Sequence, residues 1–246
     1  MRENMELLIK KLNKACLIYK RDFLNKDFLV IARKRKNTEI IDINFRKEHF
    51  MHLIGIKGMK ANDFFEKISL NILSVNELNK LKKNPYINQK LNSFPKLRRL
   101  FEEEPYLYNF HPHSTTKVEL DKIIANINRE IKKELIGLKF LKTLSKKSYI
   151  PASIEDRKAS EITAEERKRI ICILEKKSSE KDYSKILFRN LEENLSLYIP
   201  KEIFISIKKE LEKVNYNCLT GEPIRIQNHS SGENRWIGKK DVERFE

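Results

Sequence analysis

An α+β fold, with N-terminal helices packed on an antiparallel β-sheet, is what this 246-residue chain predicts. Three observations carry that expectation. Apolar residues recur at helical spacing over 5–19 and again over 61–101. Two β-branched runs near residues 28–45 flank a short basic turn. From residue 123 to residue 188 the composition is strand-like, and runs of helix followed by runs of strand point to α+β. The chain is expected to divide into a main domain, 1–190, and a small helix-hairpin appendage, 191–246.

The first helix is predicted over Met5 to Tyr19, where Leu8, Leu12, Ala15 and Tyr19 make a stripe widened by Leu7, Ile9, Cys16 and Ile18. Phe28 to Ile31 and Glu39 to Phe45 read as an antiparallel hairpin around Arg33 to Asn37. In the second run Ile41, Ile43 and Phe45 alternate with Asp42, Asn44 and Arg46. This hairpin delivers the chain into Phe45–Ile56, which sets two of the five histidines among apolar residues and reaches a glycine at Gly55.

After Gly58 the period turns helical, with Ala61, Phe64, Phe65 and Ile68 on one face. Ser74 and Glu77 form a capping box for a further helix. Residues 86–101 read as helix interrupted near Pro95, and the charge blocks from Lys96 to Glu104 read as a solvated face. Pro105 to Lys117 is a loop with His111 and His113. Strands are expected at Ile123–Ile127, Ile136–Leu144, Tyr149–Ile150, Ile170–Leu174 and Tyr183–Phe188, the last two as a second hairpin. Pro200 starts a helix to about Val214, and Leu219–Pro223 is a turn into a short strand at Ile224–Ile226.

Lys and Arg number 51 against 35 Asp and Glu, a formal net charge of +16, so the chain's field favours polyanions. The excess is +8 over residues 1–60, +7 over 61–180 and +1 over 181–246, which places the polyanion-facing part in the first 180 residues. Cys16, Cys172 and Cys218 lie far apart without metal or disulfide spacing, which fits a reducing cytoplasm. No apolar run is long enough for a membrane span, and the N-terminal residues lack the form of a secretory signal.

Nucleotide P-loops, dinucleotide fingerprints, H-E-x-x-H and G-x-S-x-G are all absent, which argues against nucleotide-driven motors, dinucleotide enzymes and serine hydrolases. His49/His52 and His111/His113 could each chelate a metal by spacing, yet neither pair has a carboxylate or thiolate in a recognisable ligand pattern. No metal and no cofactor is expected. A basic protein of this kind can still cut RNA, because RNA carries its own nucleophile. A base takes the 2'-hydroxyl proton, an acid serves the leaving oxygen, and cations or hydroxyls stabilise the phosphate.

Three separated blocks then resemble one family in order. They are Phe45-x-x-x-x-Phe50-x-His52-Leu53-x-Gly55, then Ile136–Phe140 followed by Tyr149–Ser153, then Ile173–Lys176. They look like the phage-associated nuclease-like families grouped with barnase, EndoU, colicin and RelE, over roughly residues 5–190. The resemblance implies helices packed on an antiparallel sheet and a toxin-like, metal-independent ribonuclease. It places the family's histidine on His52 and its Pro-x-Ser block on Pro151 and Ser153. Ile54 stands where the family commonly carries a small hydroxyl residue.

On that reading His52, Ser153 and Lys142 are the catalytic candidates. Arg46, Tyr149, Lys139 and Lys176 are the substrate-binding ones. Each has a structural rival that stays open. His52 could be a core histidine, Ser153 could cap a helix starting near Ile154, the lysines could be solvated strand residues, and Tyr149 could pack an edge strand. The expected partners are RNA and, in a toxin–antitoxin or phage-conflict setting, an acidic inhibitor protein. Two rival functions are a non-catalytic nucleic-acid-binding protein and an interaction module masked by an acidic partner.

Overall fold

The computed structural model describes residues 2–103, 105–109, 120–127, 134–142, 148–158, 167–190, 193–208, 224–227 and 234–237. They belong to two compact units, Met1–Ile199 and Pro200–Glu246.

The first unit opens with α1 (Arg2–Asp22), which buries Leu8, Leu12, Ala15, Cys16 and Tyr19, the stripe that a 3.6-residue period puts on one face. Strands β1 (Lys26–Lys34) and β2 (Asn37–Phe45) form the expected hairpin, in register from Lys26↔Phe45 to Lys34↔Asn37. The chain then runs through α2 (Lys47–Ile54), β3 (Ile56–Lys57), α3 (Ala61–Ser69), α4 (Val75–Lys80), β4 (Lys82–Lys83), α5 (Ile87–Ser93) and a 3-10 helix at Phe94–Phe101. Ser74 caps α4 as its spacing predicts. Its Oγ accepts from the Glu77 N–H at 3.2 Å, and the Glu77 carboxylate accepts from the Ser74 N–H at 2.9 Å.

Six longer strands follow: β5 (Tyr106–Asn109), β6 (Leu120–Ile127), β7 (Glu134–Lys142), β8 (Tyr149–Lys158), β9 (Arg167–Lys177) and β10 (Lys185–Arg189). Their pairing corrects the expected fold. The order is β1-β2-β8-β7-β6-β5-β9, and β9 pairs back onto β1 from Lys26↔Lys177 to Arg33↔Arg169. Seven strands therefore close into a barrel, with β10 added beside β9. The barrel is mixed, because β2 and β8 run parallel where Ile43 meets Tyr149. A simple antiparallel sheet with helices laid on it does not describe this topology.

The physical signature of closure is in β1 and β9. A strand with one wet face alternates, whereas Phe28–Ala32 and Ile170–Leu174 are continuously buried. β1 has partners on both edges, so it exposes no unpaired backbone ladder.

One face of the strands joins the helices in a single core. Phe28, Val30, Ala32, Ile41, Ile43, Phe45, Leu138, Phe140 and Ile173 cluster with Leu12, Tyr19, Phe50, Phe64, Phe65, Phe94 and Phe101. Ring centroids lie 4.7 Å apart for Phe28–Phe101, 5.0 Å for Phe23–Phe45 and 5.3 Å for Tyr19–Phe50. Each fully buried ring is worth about 1.5–3 kcal/mol of transfer free energy, so this aromatic core fixes where β2 ends and α2 begins.

Lys96, Arg99 and Glu102 are exposed, as the charge pattern suggests, and Arg98 is the exception. Arg98 is largely buried and donates to Glu175 of β9 at 2.6 Å as well as to Glu102 at 2.6 Å, tying the 3-10 helix to the barrel. In the second unit the described elements are a helix over 201–208 and the antiparallel hairpin of β11 (Ile224–Gln227) with β12 (Asn234–Ile237). Among the described residues no helix is long and apolar enough to cross a membrane.

Candidate functional site

The stretch from Phe45 to Gly55 is built around α2. Arg46 is its N-cap, in extended conformation, and Gly55 ends it in the left-handed region at φ 76°. The Tyr19 hydroxyl donates to the Arg46 carbonyl at 2.7 Å, so the buried end of α1 anchors the start of α2.

The two histidines of this helix have opposite surroundings. His49 is buried among the core residues, and its Nδ1 accepts the Arg46 backbone N–H at 3.1 Å. Burial drives its pKa down to about 4, helped by the charge of Arg46, so it is neutral near pH 7. His52, one turn later, is exposed to solvent. The reading of His52 as a core histidine therefore does not describe the structure. His111 and His113 lie outside the described residues. No cluster of three or more His, Cys, Asp or Glu side chains suited to a metal occurs among the described residues.

Two separate groups gather the other candidates. Arg46 NH1 donates to Asp27 at 2.9 Å and to the Phe45 carbonyl at 2.9 Å. Asp27 sits opposite Lys176 in the β1–β9 ladder and also accepts from Ser178 at 2.9 Å. Lys176 itself donates to the Lys181 carbonyl at 3.0 Å and lies 5.0 Å from the centre of the Tyr183 ring. Tyr183 is packed beside Asp42; burial, followed by that negative charge, pushes its phenol far up, while burial raises the Asp42 carboxyl.

The second group spans β7, β8 and α5. Lys139 and Ser153 are cross-strand partners, and Ser153 Oγ accepts from Lys90 at 2.5 Å while the same ammonium donates to the Ile154 carbonyl at 3.0 Å. Lys90 and Lys139 are both buried, at 8% and 9% exposure. Ser153 and Ile154 are part of β8, so the rival reading of Ser153 as the cap of a helix starting near Ile154 does not hold. Glu155 and Asp156, acidic residues of the kind that favour a helix N-terminus, continue the strand. Tyr149 is buried in the core at 7% exposure and leaves little ring surface for a base. Lys142 pairs with Tyr149 through the backbone, and its side chain lies outside the described residues.

No hydrogen bond or ion pair joins His52 to Ser153, Arg46, Lys139 or Lys176 among the described contacts. The link is through elements: α2 packs on β8 and on α5, the strand and helix that carry Ser153 and Lys90. Lys90 escaped the sequence reading, although its place between Ile87, Leu91 and Phe94 puts it on the buried face of α5, where a lysine needs partners.

A third feature also escaped it. At the β1–β2 turn an open cavity of about 560 Å³ is lined by Lys34, Arg35, Lys36, Asn37 and Lys168. Beside it, Glu39 bridges Lys122 at 2.7 Å and Lys168 at 2.5 Å. Burial opposes the Glu39 charge, but hydrogen bonds from these two ammonium groups outweigh it and hold the carboxyl below its usual range.

A family model described as phage-Barnase-EndoU-ColicinE5/D-RelE like nuclease4 matches residues 11–192, which takes in most of α1 and every strand of the barrel. No curated protein and no solved structure matches the chain.

Proposed function

The chain belongs to the phage-Barnase-EndoU-ColicinE5/D-RelE like nuclease4 family, and from that premise we propose that it is an endoribonuclease cleaving RNA by 2'-hydroxyl transesterification without a metal ion. The observation that carries this reading is the exposure of His52 beside a buried, neutral His49 on one short helix. A solvent-facing imidazole can serve as general base or acid and contributes about 10² to 10⁴ in rate when placed within hydrogen-bond reach of the reacting proton.

In the proposed step His52 takes the proton of the ribose 2'-hydroxyl as that oxygen attacks the adjacent phosphorus. The bond to the 5'-oxygen breaks, a solvent water supplies the proton to that oxygen, the proton on His52 returns to solvent, and a 2',3'-cyclic phosphate and a 5'-hydroxyl result. Arg46 is the N-cap of the helix that carries His52. Both of its described side-chain bonds use NH1, which leaves the rest of the guanidinium fork for a phosphate. Ser153, with Lys90 and Lys139 around it, supplies a hydroxyl and buried positive charge near the α2-facing strand. Lys142 and Lys176 extend the basic surface. The cellular setting we propose is a reducing cytoplasm, as a toxin in phage conflict with an acidic protein as inhibitor. The buried, free thiols Cys16 and Cys172 are compatible with it.

A specific observation favours a second reading, binding without cleavage. Ser153 is already engaged by Lys90, and Arg46 by Asp27, in this conformation. A DNA oligonucleotide carrying one ribonucleotide separates the two. With EDTA present, the enzyme reading expects a single cut at that ribose and a cyclic phosphate end, and none in the all-deoxy control. Intact single-ribose oligonucleotide under conditions where it is bound supports the binding-only reading.

A further inference from the structure

We propose that the cleft at the β1–β2 turn binds the phosphodiester backbone of an RNA strand, as a docking site remote from His52. This deepens the RNA reading above and rests on it for the identity of the polyanion.

The turn is unusual in what it carries. Lys34 pairs with Asn37, so Arg35 and Lys36 are the two residues of a minimal hairpin loop. Arg35 has φ 55°, in the left-handed region where two-residue hairpins normally place Gly, Asn or Asp. A long cationic side chain is therefore held where the backbone disfavours it. Strain of this kind persists when its surroundings enforce it, and it concentrates at functional sites.

Here the enforcing group is Arg33. Its Nε donates to the Arg35 carbonyl at 2.5 Å. Its NH1 donates to Glu193 at 2.9 Å and to the Tyr198 hydroxyl at 2.5 Å, and its guanidinium lies 4.7 Å from the centre of the Tyr198 ring. Arg33 thus braces the turn against the 193–198 segment and presents Arg35 and Lys36 to solvent.

Charge and shape select the ligand. Glu39 is bridged by Lys122 and Lys168, while Arg35 and Lys36 stand exposed on the rim of the cleft. Two adjacent exposed cations on an open rim suit successive phosphates of a chain better than one small enclosed anion. β2 spans about 27 Å between Asn37 and Phe45 at strand rise, so a strand held at the turn must run the length of the barrel to reach α2.

The test uses a fluorescein-labelled 2'-O-methyl RNA 12-mer, which lacks the nucleophile and stays intact, titrated by anisotropy between 50 and 200 mM salt. Arg35→Gly and Lys36→Gln are each compared with the wild-type chain. Arg35→Gly relieves the left-handed strain, so its thermal midpoint is expected to stay level or rise, and weaker binding cannot be ascribed to unfolding. Each substitution is expected to weaken binding and to lower the slope of log affinity against log salt by about 0.7, the value for one phosphate contact on a single strand. Unchanged affinity and slope in both variants overturn the inference.

Cleavage of unmodified RNA, run in parallel, keeps the two readings distinct. RNA cut by a chain whose variants bind normally removes the cleft and leaves the enzyme. Binding that the variants lose, without any cutting by wild type, supports the cleft and removes the enzyme. No binding by wild type removes both.

Discussion

His49 Nδ1 accepts the Arg46 backbone N–H at 3.1 Å, and this bond separates the two histidines of α2 into different kinds of residue. His49 completes the start of the helix from inside the core. His52, with no such duty, meets solvent. Spacing alone made them a pair; burial makes one structural and leaves the other open to solvent.

The buried histidine has a pH signature. Above pH 6.5 His49 is neutral in both folded and unfolded chains. Between 6.5 and about 4 the unfolded chain takes up a proton that the folded chain refuses, so stability falls as pH falls through that window. The loss attributable to this residue is on the order of 2 kcal/mol. Urea unfolding of wild type and His49→Asn at pH 7.5 and pH 4.5 checks it. The wild type is expected to lose more stability on acidification than the variant, and equal losses would remove His49 as the source.

Gly55 is a second point of control on α2. Its φ of 76° suits glycine, and a Cβ there would lie 2.6 Å from Asn84 Cβ, while Asn84 N donates to the Gly55 carbonyl at 2.8 Å. Since Asn84 Cβ sits at the base of its side chain, rotation cannot relieve the clash. Gly55→Ala is expected to cost about 2 kcal/mol or more, read as a lower thermal midpoint. A midpoint within experimental error of wild type would contradict the assigned cap geometry.

The Tyr19 hydroxyl bond to the Arg46 carbonyl predicts a smaller effect. The carbonyl also accepts from the His49 N–H at 3.1 Å, so Tyr19→Phe leaves it with one partner. A loss of about 1 kcal/mol is expected in chemical denaturation. A loss near that of truncating a core ring, about 3–5 kcal/mol, would show that more than this bond depends on the hydroxyl.

How much of this was legible in the chain follows from what periodicity encodes. It reports which face of an element is apolar, so α1, the β1–β2 hairpin and the Ser74–Glu77 box could be read directly. It does not report which strands pair across long separations. Ile43 meeting Tyr149 and β1 meeting β9 turn an open sheet into a barrel, and the pointer to this was the unbroken burial potential of Phe28–Ala32 and Ile170–Leu174.

At the site, His52 could be singled out, but its surroundings could not. A helix cap stayed open as a rival to the catalytic role of Ser153, whereas β7 recruits the segment as a strand and Lys90 reaches it from 63 residues away. The basic turn was visible at Arg33–Asn37. The left-handed Arg35 and the Arg33 brace depend on contacts with residues 193–198 that no local pattern announces.

The central claim is that His52 performs acid–base chemistry on RNA. The most direct measurement is the single-turnover cleavage rate of a defined RNA in EDTA for wild type and His52→Ala, with circular dichroism and thermal midpoints recorded for both. Since His52 is exposed, the variant is expected to keep the wild-type fold and midpoint. Its rate is expected to drop about 10² to 10⁴-fold, with RNA binding retained. Cleavage by His52→Ala at the wild-type rate would contradict the account.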